Sequence, residues 1–97
     1  MAGDGGYAKA WRHYVNTATA IDSRTRAQNI EADLVSMQHQ ILMDDAMREA
    51  VSSAAKGVRQ YLLSISGVNS DAALKGSALS SIDEMEHALR SAVGRYD

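Results

Sequence analysis

Residues 30–65 of this 97-residue chain read IEADLVSMQHQILMDDAMREAVSSAAKGVRQYLLSI. Apolar side chains recur there at alternating spacings of four and three residues, which places them on one face of an α-helix. We call this face the apolar seam; its members are Ile30, Leu34, Met37, Ile41, Val51, Ala55, Val58, Leu62 and Ile65. The chain contains no proline, so no residue type in the seam forbids a continuous helix. The stretch therefore predicts an all-α fold with one long central helix.

The length of this helix raises a question about the shape of the molecule. A continuous helix over residues 30–65 would extend for about 54 Å at ~1.5 Å per residue. A compact domain of this chain length has a diameter of only about 30–35 Å. Either the helix breaks near Asp44–Asp45, or the molecule is elongated and buries its seam against other chains. The sequence is compatible with an elongated helical hairpin and with a three- to four-helix bundle.

The flanking segments divide the chain into a tail and one domain. The glycine-rich residues 1–6 predict a flexible N-terminus, and residues 7–97 predict a single helical domain. The polar stretch 22–29 either begins a new helix, capped by Asp22 or Ser23, or continues the first helix with a shifted register. Tyr7, Trp11, Tyr14, Ala18 and Ile21 share one stripe of the first helix.

A signal for a helical hairpin follows the seam. Gly67 after Ser66 is typical of a helix C-terminus, so we expect a turn at residues 66–70. Asn69 or Ser70 then caps a last helix. The apolar stripe predicted for that helix is Ala78, Ile82, Met85, Leu89, Ala92 and Tyr96.

Composition limits the function classes. The chain lacks cysteine and phenylalanine and has a net charge of −2. Without cysteine there is no disulfide and no thiol nucleophile. No apolar run approaches the ~18 residues of a membrane span, and the first residues lack the basic and apolar regions of a signal peptide. We therefore expect a cytoplasmic protein, or one exported without a cleavable signal peptide. A chain of 97 residues without phenylalanine forms only a small core, and a small core often needs a partner.

One spacing suggests metal chemistry. Glu84-Met-Glu-His87 places a carboxylate and an imidazole on one helix face, and the string resembles the corresponding helix of ferritin-like proteins. The resemblance implies a metal-binding subunit completed by oligomerisation, with Glu31 or Glu49 supplied from another helix. However, His87 lies about 160° from Leu89 on the helical wheel, away from the apolar stripe. We therefore favour a solvated face, predict no metal and no cofactor, and keep the ferritin-like subunit as an alternative.

Catalysis and nucleic-acid binding receive little support. No serine, threonine or lysine comes with a recognisable base, so we predict no catalytic residue and no enzyme. Lys9, Arg12, Arg24 and Arg26 give residues 1–29 a net charge of +2. The sequence pI of about 5.8 nevertheless lacks the strong basic character of most nucleic-acid binders. A nucleic-acid-associated adaptor is thus a less favoured alternative.

Charge distribution and helix packing favour protein–protein interaction. Residues 30–55 have a net charge of −4, opposite in sign to residues 1–29. Opposite charges at two ends of a molecule orient head-to-tail contacts, although they serve a folded-back chain equally well. We expect self-association, with a heterologous protein as the other partner class. The chain would be a structural subunit or assembly factor of a larger bacterial or phage-type assembly.

Particular residues carry this expectation. Trp11 and Tyr14 are predicted to anchor the partner contact, because aromatic side chains are enriched at binding hot spots. Asp44 and Arg48 fall on seam positions and are predicted to form a polar pair that sets the register. Four seam residues are predicted to bury against the last helix or against a neighbouring chain: Leu34, Ile41, Val58 and Leu62.

Overall fold

In a computed structural model the chain forms four helices: α1 (Ala2–Thr17), α2 (Ser23–Gln40), α3 (Asp45–Ser64) and α4 (Ala72–Tyr96). The structure describes the backbone of residues 2–40, 44–66 and 69–96, and the side chains of residues 6–39, 44–66 and 69–91. The molecule measures 46 × 22 × 20 Å, with a radius of gyration of 13.3 Å. The predicted all-α class is confirmed.

The predicted central helix is interrupted at Asp44. Asp44 has an extended backbone, with φ −82° and ψ 177°, and its Oδ1 accepts a hydrogen bond from the Met47 backbone N–H at 2.9 Å. This is the geometry of a helix N-cap, in which a carboxylate satisfies a backbone donor that the first helical turn leaves unpaired. A single long helix over residues 30–65 was therefore wrong. The alternative, a break at Asp44–Asp45, is the one observed.

Cross-helix contacts show that α2 runs antiparallel to both α1 and α3. Between α1 and α2, Trp11 contacts Asp33 while Thr17 contacts Arg26, so the residue numbers rise on one helix as they fall on the other. Between α2 and α3, Arg59 pairs with Glu31 at 2.8 Å, and residues near the start of α2 meet the end of α3. The first three helices thus run up-down-up.

The central helix of the bundle is α3, which contacts all three other helices and packs most extensively on α4. A small residue permits that close approach. A Cβ at Gly57 would lie 3.5 Å from Ser81 Oγ and 3.7 Å from Ala78 Cα. Within the described ranges α2 packs mainly on α3, contacts α1 less extensively, and has no close backbone approach to α4.

The core follows the predicted periodicity along α2, α3 and α4. The seam residues that are buried are Ile30, Met37, Val51, Ala55, Val58 and Leu62, and those on α4 are Ala78, Ile82, Met85 and Leu89. Leu34 and Ile65 are partly buried and pack against this core. Ile41 lies outside the described residues, as do the side chains of Ala92 and Tyr96.

The first helix differs from its prediction at both ends. α1 begins at Ala2, where we expected a helix only from Tyr7, and it ends at Thr17. Because the helix stops there, Ile21 leaves the predicted stripe and is 96% exposed. Val15 fills the core instead.

The N-terminus of α4 also differs from its prediction. Asp71 Oδ1 accepts hydrogen bonds from the backbone N–H groups of Ala73 and Leu74, at 3.0 and 3.1 Å. Asp71 thus caps the helix, in place of the expected Asn69 or Ser70. The backbones of Ser66 and Asn69 pair with each other in the connection before it. Gly67, the residue that predicted the turn, lies outside the described residues.

Candidate interaction surface

Trp11, the first predicted anchor, lies in the core of the chain. Its side chain is 0% exposed, and the indole Nε1–H donates a hydrogen bond to Asp33 Oδ2 at 2.9 Å. The bond joins α1 to α2 and satisfies the one polar atom of the indole. This placement corrects the assignment of Trp11 to a partner surface, because a side chain covered on all sides by its own chain offers no area to another.

Tyr14, the second predicted anchor, is half-buried at the corner between α1 and α2. The Arg26 guanidinium lies 5.7 Å from the centroid of the Tyr14 ring and donates to the Tyr14 carbonyl oxygen at 3.0 Å. The same guanidinium donates to Thr17 Oγ1 at 2.6 Å and pairs with Asp22 at 3.1 Å. Arg26 therefore holds the corner together, and Tyr14 is part of that internal contact.

The predicted seam contacts are partly accounted for within the chain. Val58 and Leu62 are fully buried, and Leu34 is partly buried. These residues were predicted to bury either against the last helix or against a neighbouring chain. Val58 and Leu62 are buried within their own chain. Ile41 lies outside the described residues.

The predicted polar pair lies on the surface at the start of α3. Asp44 caps the helix, and Arg48 follows one turn later. Both are exposed, so they do not form a buried polar layer inside this chain. Their role in setting a register between chains stays a prediction.

A charged cluster connects α1 to α4. Arg12 pairs with Asp83, and also with Glu86 at 2.7 Å, while Arg90 approaches Glu86 at 3.3 Å. The hydrogen bond from Arg12 and the charges of both arginines lower the pKa of Glu86. The hydrogen bonds that Glu86 and Asp83 accept raise the pKa of Arg12. The cluster therefore stabilises the ionised forms of Arg12 and Glu86.

These internal pairs weaken the nucleic-acid alternative. Arg12 is committed to α4 carboxylates, and Arg26 is committed to the α1–α2 corner. A nucleic acid would have to displace these partners to reach either guanidinium. Of the basic residues that favoured this alternative, Lys9 and Arg24 remain exposed and have no ion-pair partner among the described side chains.

The ferritin-like alternative is not supported by an assembled metal site among the side chains that the structure describes. Glu84 and His87 are both exposed on α4. Among residues 6–39, 44–66 and 69–91, no group of three or more His, Asp or Glu side chains is arranged to hold a metal ion. Glu31, one of the ligands expected from another helix, pairs with Arg59.

None of the helices in the part of the chain that the structure describes is long and apolar enough to cross a membrane.

The structure contains a groove that the sequence did not predict. This open groove of about 540 Å³ lies where the α1–α2 turn meets the end of α3. We call it the end groove; its lining residues are Ala20, Ser23, Arg24, Leu63, Ile65 and Ser66. Leu63 is 54% exposed, so one large aliphatic side chain faces solvent in a groove of mixed polar and apolar lining. Ile21, in the α1–α2 turn, is 96% exposed.

Local geometry explains why these side chains face solvent. Leu63 follows the buried Tyr61 and Leu62, and each helical position is rotated about 100° from the last, so Leu63 points away from the face that these two residues share. Ile21 lies in a turn that is fixed by the Thr19 backbone N–H, which donates to Asp22 Oδ1 at 2.8 Å. That hydrogen bond is also the main cause that lowers the pKa of Asp22. The sequence signal that could have separated Ile21 from the core was the capping potential of Asp22 and Ser23.

Comparison with known proteins finds no matching family model, no matching curated protein and no matching solved structure.

Proposed function

We propose that this chain is a non-enzymatic helical protein–protein interaction module that associates with itself. The observation that carries the proposal is the exposure of two large aliphatic side chains: Leu63, which lines the end groove, and Ile21, which lies in the α1–α2 turn. Single exposed apolar residues are common on protein surfaces. An exposed aliphatic side chain that lines a concave surface is more typical of a contact site.

The energetics of this surface set the expected strength of association. Full burial of a side chain of this size contributes about 1.5–3 kcal/mol. Because Ile21 is 96% and Leu63 54% exposed, burying what remains exposed of the two contributes about 2–4.5 kcal/mol. Association costs at least about 4 kcal/mol in lost translational and rotational freedom. These two side chains therefore supply only part of a larger contact, and we expect an equilibrium that shifts visibly on dilution.

Analytical ultracentrifugation between about 1 µM and 1 mM tests the proposal, since this range spans weak to moderate affinities. The expected result is a mass above 10.4 kDa that falls towards that value on dilution. Ile21→Ser and Leu63→Ser should each shift the equilibrium towards monomer. Val35→Ser is the matched control, because Val35 is 52% exposed on α2 and does not line the end groove.

A wild-type chain that stays at 10.4 kDa throughout this range contradicts self-association. Equal effects of the three serine variants would contradict the role of the end groove. Far-UV circular dichroism of each variant separates a loss of association from a loss of fold. Within this proposal the chain acts as a structural subunit or assembly factor, and the bacterial or phage-type assembly expected from its composition stays a prediction.

A further inference from the structure

The α1–α2 turn is a short segment that lacks glycine and proline; its residues are Ala18, Thr19, Ala20, Ile21 and Asp22. The Ser23 backbone N–H donates to the Thr19 carbonyl oxygen at 3.0 Å, so a helical turn leads directly into α2. Asp22 Oδ1 accepts from the Thr19 backbone N–H at 2.8 Å, which is one half of a capping box. No residue type in this turn forbids a continuous helix through α1 and α2. A local capping contact is what separates the two helices.

The other contacts that close this corner are polar and partly exposed. Arg26 donates to the Tyr14 carbonyl oxygen at 3.0 Å and to Thr17 Oγ1 at 2.6 Å. It also pairs with Asp22 at 3.1 Å. Contacts of this kind contribute little stability, because water competes for both partners. The closed corner is therefore held by weak interactions.

Ile21 is the apolar residue that the closed corner leaves uncovered. Its side chain is 96% exposed. In a helix that continued past Thr17, Ile21 would lie three residues after Ala18, on the stripe that contains Trp11 and Tyr14. A straightened connection would thus return Ile21 to the apolar face of α1.

The principal neighbour of α1 is α4, which is distant from this turn in sequence. Within the described ranges α1 packs more extensively on α4 than on α2 or α3. Trp11 and Val15 are buried in this arrangement. Arg12 pairs with Asp83 and Glu86 of α4. None of these contacts requires α1 and α4 to belong to the same chain, and α4 of a second copy offers the same surface.

Resting on the self-association proposed above, we propose that two copies of this chain exchange α1. The α1–α2 turn straightens into one continuous helix, and α1 of each copy packs on α4 of the other. The contacts of α1 with the bundle are re-formed between chains, so the exchanged dimer loses only the contacts of the corner. The partner is a second copy, because the α4 surface is already complementary to α1. The exchange is reciprocal, so association closes at a dimer.

A proline in the α1–α2 turn tests whether the connection straightens. In Ala20→Pro the ring follows the Thr19 cap, where a helix tolerates proline. Inside a continuous helix the same ring clashes with the carbonyl oxygen four residues earlier. Dimerisation should therefore weaken at least about a hundredfold while the monomer keeps its fold. Ala72→Pro follows the Asp71 cap of α4 and is the matched control, which should leave dimerisation unchanged.

Asp22→Ala should shift the equilibrium in the opposite direction. It removes the hydrogen bond from Thr19 and the pair with Arg26, both of which belong to the closed corner, and it introduces a strong helix former. We expect dimerisation to strengthen about tenfold. Analytical ultracentrifugation measures both variants after refolding from about 6 M urea at each concentration, because exchange requires α1 to leave α4.

Complementary charge variants show whether α1 crosses between chains. One variant carries Arg12→Glu, and the other carries Asp83→Lys with Glu86→Lys, so each alone places like charges between α1 and α4. After the two are refolded together, α1 of each variant meets opposite charge only on α4 of the other. Native mass spectrometry should find the mixed dimer at least about tenfold in excess over either homodimer. A contact between closed monomers would give no such preference.

The outcomes separate this inference from the proposed function. A folded Ala20→Pro that dimerises as strongly as wild type overturns the exchange and leaves self-association intact. If Ala20→Pro does not fold, the mixture of charge variants decides, and a mixture without an excess of mixed dimer overturns the exchange. A wild type that stays at 10.4 kDa at every concentration after refolding removes both this inference and the function on which it rests.

Discussion

Replacement of Trp11 by alanine should destabilise the fold itself. The indole is 0% exposed, and truncation of a buried tryptophan to alanine costs about 3–5 kcal/mol. The change also removes the indole Nε1–H that donates a hydrogen bond to Asp33. This loss adds to the cost, because the Asp33 carboxylate is partly buried. We expect a loss of about 4 kcal/mol in the free energy of unfolding. A domain of this length has only about 5–15 kcal/mol in total, so the variant should be marginally stable.

Urea unfolding followed by circular dichroism at 222 nm measures this loss. Two variants locate its origin. Trp11→Phe keeps an aromatic ring and removes the indole donor, so it should cost about 1–2 kcal/mol. Ile21→Ala changes a side chain that is 96% exposed and should stay within about 0.5 kcal/mol of wild type. All unfolding curves should be recorded at the lowest practical concentration, so that association does not contribute to stability.

One result would refute this reasoning. If Trp11→Ala unfolds within about 1 kcal/mol of wild type yet loses self-association, Trp11 is an exposed anchor, as its aromatic character first suggested. The core described above would then be wrong at α1. A large loss of stability in Trp11→Ala together with unchanged stability in Ile21→Ala supports the placement of both residues.

Four further substitutions test the helices and their contacts. Gly57→Leu should lower the free energy of unfolding by about 1–3 kcal/mol in urea unfolding, because Ser81 and α4 leave room for only one methyl group at position 57. Gly76→Ala should raise the free energy of unfolding by about 0.5–1 kcal/mol, because a Cβ at position 76 meets no atom within 4 Å. Asp44→Ala removes the α3 cap and should cost about 1 kcal/mol in the same assay, and an unchanged value would contradict the capping geometry. Glu86→Gln should cost about 1 kcal/mol or less at pH 7, since the pair with Arg12 is partly exposed. The pKa of Glu86 in the folded state lies below its ordinary value of 4.5. The stabilisation by Glu86 is therefore present above pH 4.5 and is lost as the pH falls through the lowered pKa. The melting curves of wild type and Glu86→Gln should thus converge in acid.

Apolar spacing predicted most of the core because a helical face depends only on local geometry. Residues three and four apart lie on the same side of a helix, whatever covers that side. Ile30, Val58 and Ile82 are accordingly buried where the repeat placed them. The repeat continued through Asp44 in the sequence, however, and could not show that the helix stopped there. That outcome depends on whether a side-chain oxygen captures a backbone N–H, as Asp44 does with Met47.

The choice among neighbouring caps required the folded geometry. Asn69, Ser70 and Asp71 all belong to residue types that cap helices well. Asp71 is the one whose carboxylate meets the first N–H groups of α4, because the start of the helix is set by how α4 packs on α3. Residue type limits a cap to a few positions, and tertiary packing selects one of them.

The two largest errors, at Trp11 and Ile21, have one cause. Helical spacing identifies a side chain that needs burial, but it does not say whether the same chain or another one buries it. Trp11 was assigned to a partner, yet α1 packs on α4 and its indole finds Asp33 on α2. Ile21 was placed on the apolar stripe of the first helix on the assumption that α1 continued, but the helix ends at Thr17. Ile21 is therefore left exposed in the α1–α2 turn. Its exposure arises from where a helix terminates, which periodicity within the helix does not encode.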